Sequence, residues 1–253
     1  MILTVDIGNS RIKCASWQAE VIIARGVTGY TTDTVSDAID KLLSGVEKPL
    51  RVFAVCVASE AVRPALEQWV SLHWGIDVEF LKTEKQFADI SNAYHDPEQH
   101  GADRWAGVVA GHILFPGSSL CVISAGTAFT FDFVNKSGQH LGGYILPSFT
   151  SMHAALTGDT ARVESISSES HREQGIPVNT DDAVNQGLHR LIQAGVREFC
   201  QLAQQELDDP VQVIITGGFA GTVLGYPKMP VMLHQPDLVM QGLYFIMKQQ
   251  KSG

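Results

Sequence analysis

Residues Met1–Lys13 read MILTVDIGNSRIK. Met1 to Asp6 is apolar enough for a buried strand, Gly8-Asn9-Ser10 has the chemistry of a tight turn, and Arg11 to Trp17 and Glu20 to Arg25 read as two further strands. Three strands therefore come before any helix. A doubly wound dinucleotide-binding sheet would open instead on alternating strand and helix around a G-x-G-x-x-G turn, and neither is present here. A helix over Thr34 to Leu43, a strand over Arg51 to Val57, a helix over Ala61 to Leu72, a strand over Asp77 to Leu81 and a helix from Asp103 follow. The expected order is βββαβαβα.

Past Gly117 the pattern starts again. Leu120 to Ser124, the strictly alternating Phe129 to Phe133 and His140 to Leu146 are three more strands. A long helix is expected from Thr180, read as its N-cap, to about Leu207, then a strand over Val211 to Thr216, a helix near Gly218, a strand over Val231 to Leu233 and a last helix from about Asp237. The two opening turns are alike, Asp6-Ile7-Gly8-Asn9 in one half and Ser124-Ala125-Gly126-Thr127 in the other. Duplicated halves of this order describe an α/β protein of the ribonuclease H-like superfold of actin and the sugar kinases. The expected domains are residues 1–116 and 117–253, with a nucleotide in the cleft between them.

The bulk chemistry narrows the partners. The chain has 18 basic and 27 acidic residues and a formal charge of −9, which gives no broad positive field for a phosphate backbone, so nucleic acid is not an expected partner. With 45% hydrophobic and 18% charged residues it is globular in composition, and only a polar tail from Lys248 to Gly253 is expected to stay unfolded. No basic n-region and no long apolar run appear near Met1, so neither a signal peptide nor a membrane span is read and the cytoplasm is the expected compartment. Cys14, Cys56, Cys121 and Cys200 form no C-x-x-C pair and read as small core hydrophobes. The nine histidines show no metal-ligand spacing.

Several short stretches can carry chemistry. In Asp6-Ile7-Gly8-Asn9-Ser10-Arg11-Ile12-Lys13 the glycine lets backbone approach an anion, Asn9 and Ser10 can donate, Lys13 adds positive charge and Asp6 could hold Mg²⁺ through water. The plain alternative is a hairpin turn whose polar residues satisfy local backbone. Gly101-Ala102-Asp103-Arg104 opens a helix, so Asp103 is either its N-cap or a general base, with Arg104 beside it for an anionic group. Gly126-Thr127-Ala128 could offer N–H groups and a hydroxyl to phosphates, and Thr216-Gly217-Gly218 is either a nucleotide-contacting turn or a simple strand-to-helix turn.

These pieces, in this order and over nearly the whole chain, resemble type III pantothenate kinase: D-x-G-N-[ST]-x-x-K at Asp6 to Lys13, a tyrosine, proline and G-x-D-R at Tyr94, Pro97 and Gly101 to Arg104, G-T-A at Gly126 to Ala128, then Gly142-Gly143 and Thr216-Gly217-Gly218. The resemblance implies ATP-dependent phosphorylation of pantothenate in coenzyme A biosynthesis. It implies Asp103 as the base, Asp6 to Lys13 and Thr127 at ATP, and Tyr94, Gly101, Ala102, Asp103, Arg104 and Thr180 around pantothenate. It further implies a homodimer in which Thr180 reaches the neighbouring subunit's pocket. Where relatives carry an aspartate that holds a monovalent cation, this chain has Ser124, which weakens the case for K⁺ or NH₄⁺, and His100 stands where an apolar residue is common. The rival readings are a non-catalytic nucleotide-binding regulatory homologue and another small-molecule kinase of the same superfold.

Overall fold

The computed structural model describes residues 1–58, 62–158, 175–207 and 210–250. The chain forms two compact units: Met1–Gly117 with Ser137–Gly142 and Asp237–Gly253, and Ser118–Lys136 with Gly143–Pro236. A single cut after residue 116 therefore needs amending, because the C-terminal helix returns to the first unit.

In the first unit β1 (Ile2–Ile7), β2 (Arg11–Gln18), β3 (Val21–Gly29), β4 (Val52–Cys56) and β5 (Val78–Phe80) make one sheet in the order β3-β2-β1-β4-β5. The β1–β2 and β2–β3 pairs are antiparallel, while β1–β4 and β4–β5 are parallel. Strand β1 is central and buried on both faces, which is why its sequence is a nearly continuous apolar run. Helices α1 (Val35–Leu43) and α2 (Val62–Trp74) join a core with Leu3, Val5, Ile7 and Ile12, each fully buried. The expected start of α2 at Ala61 lies outside the described residues. Helices α3 (Ala102–Leu114) and α7 (Leu238–Gln249) pack on each other, and α7 packs on β1 and β4. A Cβ on Gly242 of α7 would lie 2.0 Å from the carbonyl oxygen of Ala106 in α3, so the two backbones meet where no side chain fits. Lys248, expected in a loose tail, is in the last turn of α7 and pairs with Glu20.

The second unit repeats the plan. Strands β8 (Ser119–Ala125), β9 (Ala128–Val134), β10 (His140–Pro147, its residues up to Gly142 counted with the first unit), β11 (Val211–Thr216) and β12 (Leu233–His234) are ordered β10-β9-β8-β11-β12. Phe129 and Phe131 on β9 are buried against a core that includes Leu188, Ile192 and Val196 of α5 (Thr180–Glu206). Burying such a side chain stabilises by roughly 1.5–3 kcal/mol. The sequence reading did not include the short hairpin β6–β7 (Gln86–Phe87, Ile90–Ser91) or α4 (Phe149–Thr157), whose N-cap Ser148 accepts from the Ser151 N–H. The short α6 (Ala220–Leu224) follows β11. Cys14, Cys121 and Cys200 are buried and Cys56 is half-buried, as small core residues should be. No helix among the described residues is long and apolar enough to cross a membrane.

Candidate active site

Strand pairing builds the first turn. Asp6 sits opposite Lys13 in the β1–β2 ladder, and the Gly8 N–H donates to the Arg11 carbonyl at 3.0 Å. Side chains opposite one another share a face, so Lys13 Nζ comes to 3.9 Å from Asp6 Oδ2. Tyr30 braces the turn from outside, its hydroxyl donating to the Gly8 carbonyl at 2.6 Å and its N–H to the Ser10 carbonyl at 3.3 Å. The side chains of Asn9, Ser10 and Arg11 are left exposed. Ile7 and Ile12 turn into the core, so whatever they offer a ligand is backbone.

Asp6 is only 9% exposed, and burial pushes its carboxyl up from 3.8 to about 6. Lys13 pulls it back down, and the charge of Asp103 pushes it further up. Two acidic groups and one ammonium thus share a field at one end of the sheet.

Helix α3 supplies the second group. Its N-cap is Gly101, which has no side chain to cap with, and Asp103 is the second helical residue. The reading of Asp103 as N-cap is therefore corrected: its Oδ1 accepts the Arg104 N–H at 2.8 Å from within the first turn. A Cβ on Gly101 would lie 2.8 Å from that same oxygen, so glycine leaves the carboxylate its room. The positive end of the helix favours an ionised group there. Arg104 is buried, and its Nη1 donates to the Tyr94 hydroxyl at 3.0 Å with the guanidinium 5.8 Å from the centre of that ring. Tyr94 is held in turn by its N–H to Asn92 Oδ1 at 3.1 Å and by Lys85 Nζ on its carbonyl at 2.8 Å.

The second unit carries the other turns. Ser124 is the next-to-last residue of β8, opposite Thr130, the Gly126 N–H donates to the Ala128 carbonyl at 3.0 Å, and Thr127 is exposed at the tip. The turn after β11 is lashed to this one. Gly217 has φ +101°, a Cβ on it would lie 2.4 Å from the Ala125 carbonyl oxygen, and the Phe219 N–H donates to that oxygen at 2.9 Å. Thr180 is exposed at the first position of α5, and the N-cap expected there is Asn179 instead, which accepts from the Asp182 N–H at 2.9 Å.

Asp6, Lys13, Tyr94, Gly101, Ala102, Asp103 and Arg104 thus lie in one unit, and Ser124, Thr127 and Thr180 in the other. Sequence reasoning missed Tyr30 and the buried His140, which no motif or spacing marks, and gave no role to His100, buried as well, though it noted the residue as a departure beside Gly101.

Two units whose sheets share one strand order, each opening on a glycine turn, define the ribonuclease H-like fold of actin and the sugar kinases. Solved structures agree. A Streptomyces griseus ROK family glucokinase, in complex with glucose and AMPPNP, aligns with a TM-score of 0.50 at 13% identity over 98% of this chain and 99% of its own. A Campylobacter jejuni protein named for the Baf family of transcriptional activators aligns with a TM-score of 0.62 at 19% identity, over 99% of this chain and 100% of its own. Within that fold this chain belongs to the type III pantothenate kinase family, whose sequence model matches residues 2–202. The type III pantothenate kinase of Nitrosococcus oceani is 34% identical over 261 residues, covering 98% of this chain and 94% of that protein.

Proposed function

We propose that this chain transfers the γ-phosphoryl group of ATP to the primary hydroxyl of pantothenate, giving 4′-phosphopantothenate and ADP, the first step of coenzyme A biosynthesis. The observation that carries this is the shared field of Asp6, Lys13 and Asp103 in one unit, with Arg104 and Tyr94 beside Asp103. Asp103 accepts the hydroxyl proton as the oxygen attacks the γ-phosphorus, and the P–O bond to ADP breaks. Arg104 and Tyr94 hold the substrate, with Gly101 and Ala102 presenting first-turn backbone. Phosphoryl transfer asks mainly for alignment and charge stabilisation, which a rigid helix start provides.

The turn Asp6–Lys13 cradles the phosphates, joined by Thr127. Gly8 supports this role: its φ is not in the left-handed region, and a Cβ on it would meet only the Arg11 carbonyl oxygen, at 3.7 Å. Among the described residues nothing requires glycine there, which fits the approach of an outside group as its use. A kinase takes its nucleotide as a divalent-metal complex, and the donor set fits Mg²⁺: a desolvated carboxylate crowded by a second one gains from a cation. Asp6 would hold the ion, which when bound would supply charge neutralisation for the phosphates. Ser124 offers a neutral oxygen where a monovalent cation would otherwise be matched by an acid, so we assign no K⁺ or NH₄⁺ dependence.

The chain acts as a cytoplasmic homodimer with Thr180 completing the partner subunit's substrate pocket. Support comes from an apolar groove of about 660 Å³ at the start of α5, lined among others by Leu156, Val178, Thr180, Gly187 and Leu191. Val178 is 98% exposed and Leu191 58%, a patch that water alone covers poorly. An ATP-consumption assay tests the activity: turnover that appears only when pantothenate is added supports it, and ATP binding without turnover would favour the regulatory reading. Light scattering that gives a 27.5 kDa particle at micromolar concentration would remove the dimer.

A further inference from the structure

Behind Tyr94 lie two imidazoles that the proposed chemistry does not use. His100 and His140 are 0% and 2% exposed. The rings of Tyr94 and His100 are 4.7 Å apart at 10°, those of His100 and His140 are 4.6 Å apart at 8°, and those of Tyr94 and His140 are 6.0 Å apart at 12°. Three planar groups thus share one orientation, with the rings of Tyr94 and His140 each in offset contact with His100. His100 also meets the indole of Trp105 edge-on, at 6.0 Å and 69°. It therefore touches both Tyr94 and the helix that carries Asp103 and Arg104. Its own backbone is pinned, with its carbonyl accepting from Thr83 Oγ1 at 2.7 Å and its N–H donating to the Pro97 carbonyl at 3.0 Å.

Space filling alone does not explain histidine here. Each buried imidazole brings ring nitrogens that must be matched by partners, whereas leucine fills a similar volume with no such demand. What a flat ring adds is orientation, because parallel rings in offset contact resist tilting. Tyr94 needs that. Its hydroxyl accepts from Arg104 at one point, so a tilt of the half-buried ring would move the acceptor that Arg104 uses.

We infer that His100 and His140 are positioning residues: their stacked imidazoles fix the plane of Tyr94 and, through it, the aim of Arg104 at the substrate. This rests on the pantothenate reading and adds a determinant to it.

The test compares shape with chemistry at each position. His100→Leu removes the flat ring and should raise the KM for pantothenate roughly tenfold, the scale of one lost ring pair, while the KM for ATP stays within about twofold. His100→Phe restores a flat ring and should bring the pantothenate KM back to within about threefold of the natural chain. The same pair of variants at His140 should follow the same order with smaller steps. In a Tyr94→Ala background His100→Leu should add nothing, because the group it orients is gone. Equal KM values for the Leu and Phe variants, equal rises for both substrates, or full additivity with Tyr94→Ala would each overturn the inference. A readout free of turnover is the NMR shift of the Tyr94 ring, assigned by its loss in Tyr94→Phe: stacking should displace it upfield in the natural chain and His100→Phe, and His100→Leu should release it. A shift unchanged in His100→Leu overturns the inference even if that variant is unstable in assay. If the natural chain consumes no ATP with pantothenate, the activity reading fails by itself, and the ring shift still decides whether the stack holds Tyr94.

Discussion

The turn after β1 and the turn after β8 occupy the same place in two sheets of the same strand order, yet they carry different charges. The first ends in a nearly buried Asp6 with Lys13 across from it, and the second has Ser124 facing Thr130. A shared topology therefore fixes where a glycine turn falls but not how that turn is balanced electrically. Asp6, with its carboxyl raised to about 6, is maintained at a cost in stability, whereas the neutral second turn has no such cost. A costly feature restricted to one of two equivalent places points to chemistry rather than folding.

The largest expected effect separates chemistry from capping beside the charged turn. Asp103→Asn should lower kcat by about 10² or more, with ATP binding nearly unchanged, as loss of a general base does. Its melting temperature should hardly move, since Gly101 and not Asp103 occupies the cap, and asparagine can still accept the Arg104 N–H. A variant that kept its rate per folded molecule and lost several degrees would place Asp103 among the structural residues.

Next come the glycines, which sort into two kinds. Gly217→Ala should destabilise by about 2–4 kcal/mol, because φ +101° is strained for alanine and the added Cβ runs into the Ala125 carbonyl. Gly8→Ala should cost less than about 1 kcal/mol of stability and weaken ATP binding instead. Chemical denaturation beside nucleotide titration measures both. Equal destabilisation by the two variants would show that Gly8 has an internal steric duty after all.

Much of this was legible in the chain. Period-two alternation at Phe129 to Phe133 and the apolar run before Asp6 fixed the strands, and a glycine turn after the opening strand of each half fixed the duplication. The helix α4 was not legible, since Phe149–Thr157 is short and only Phe149 and His153 are buried, leaving little periodic signal. Cap identities at α3 and α5 slipped by one or two residues because Asp, Thr and Asn all suit a cap and only geometry chooses between neighbours. The return of α7 to the first unit depends on Gly242 meeting Ala106, a contact between residues far apart in the chain that no local pattern encodes. The same holds for the stack of Tyr94, His100 and His140.

A smaller effect tests the cost of the charged turn directly. Because the folded-state carboxyl of Asp6 ionises near 6 rather than 3.8, the folded chain holds a proton between those values that the unfolded chain has released. Stability from this group is therefore full below about pH 4 and is lost as pH rises through 6. Asp6→Asn should gain about 2–3 kcal/mol over the natural chain at pH 7 and nothing at pH 3.5, while losing most of its turnover. Denaturation midpoints of both proteins across that range decide it. A difference that stays constant with pH would remove the desolvated-carboxylate account.

The smallest effect concerns the neutral turn and asks whether the two turns can be made alike. An aspartate at position 124 would put a full negative charge at the end of β8, close to the turn that Thr127 presents to the phosphates in the proposed reading. Two anionic groups at that distance are tolerable only with a cation between them. The natural serine brings no such charge, so the rate should be nearly the same in sodium and potassium buffers of matched ionic strength, with a divalent metal present in both. Ser124→Asp should then create a potassium requirement of a few-fold, roughly the factor that one screened charge interaction of about 1 kcal/mol supplies. The comparison is within one buffer series, so changes in folding would appear equally in both salts. A steep potassium requirement already present in the natural chain would mean that neutral oxygens near Ala125 suffice for the ion, and the electrical difference between the two turns would then lie in Asp6 alone.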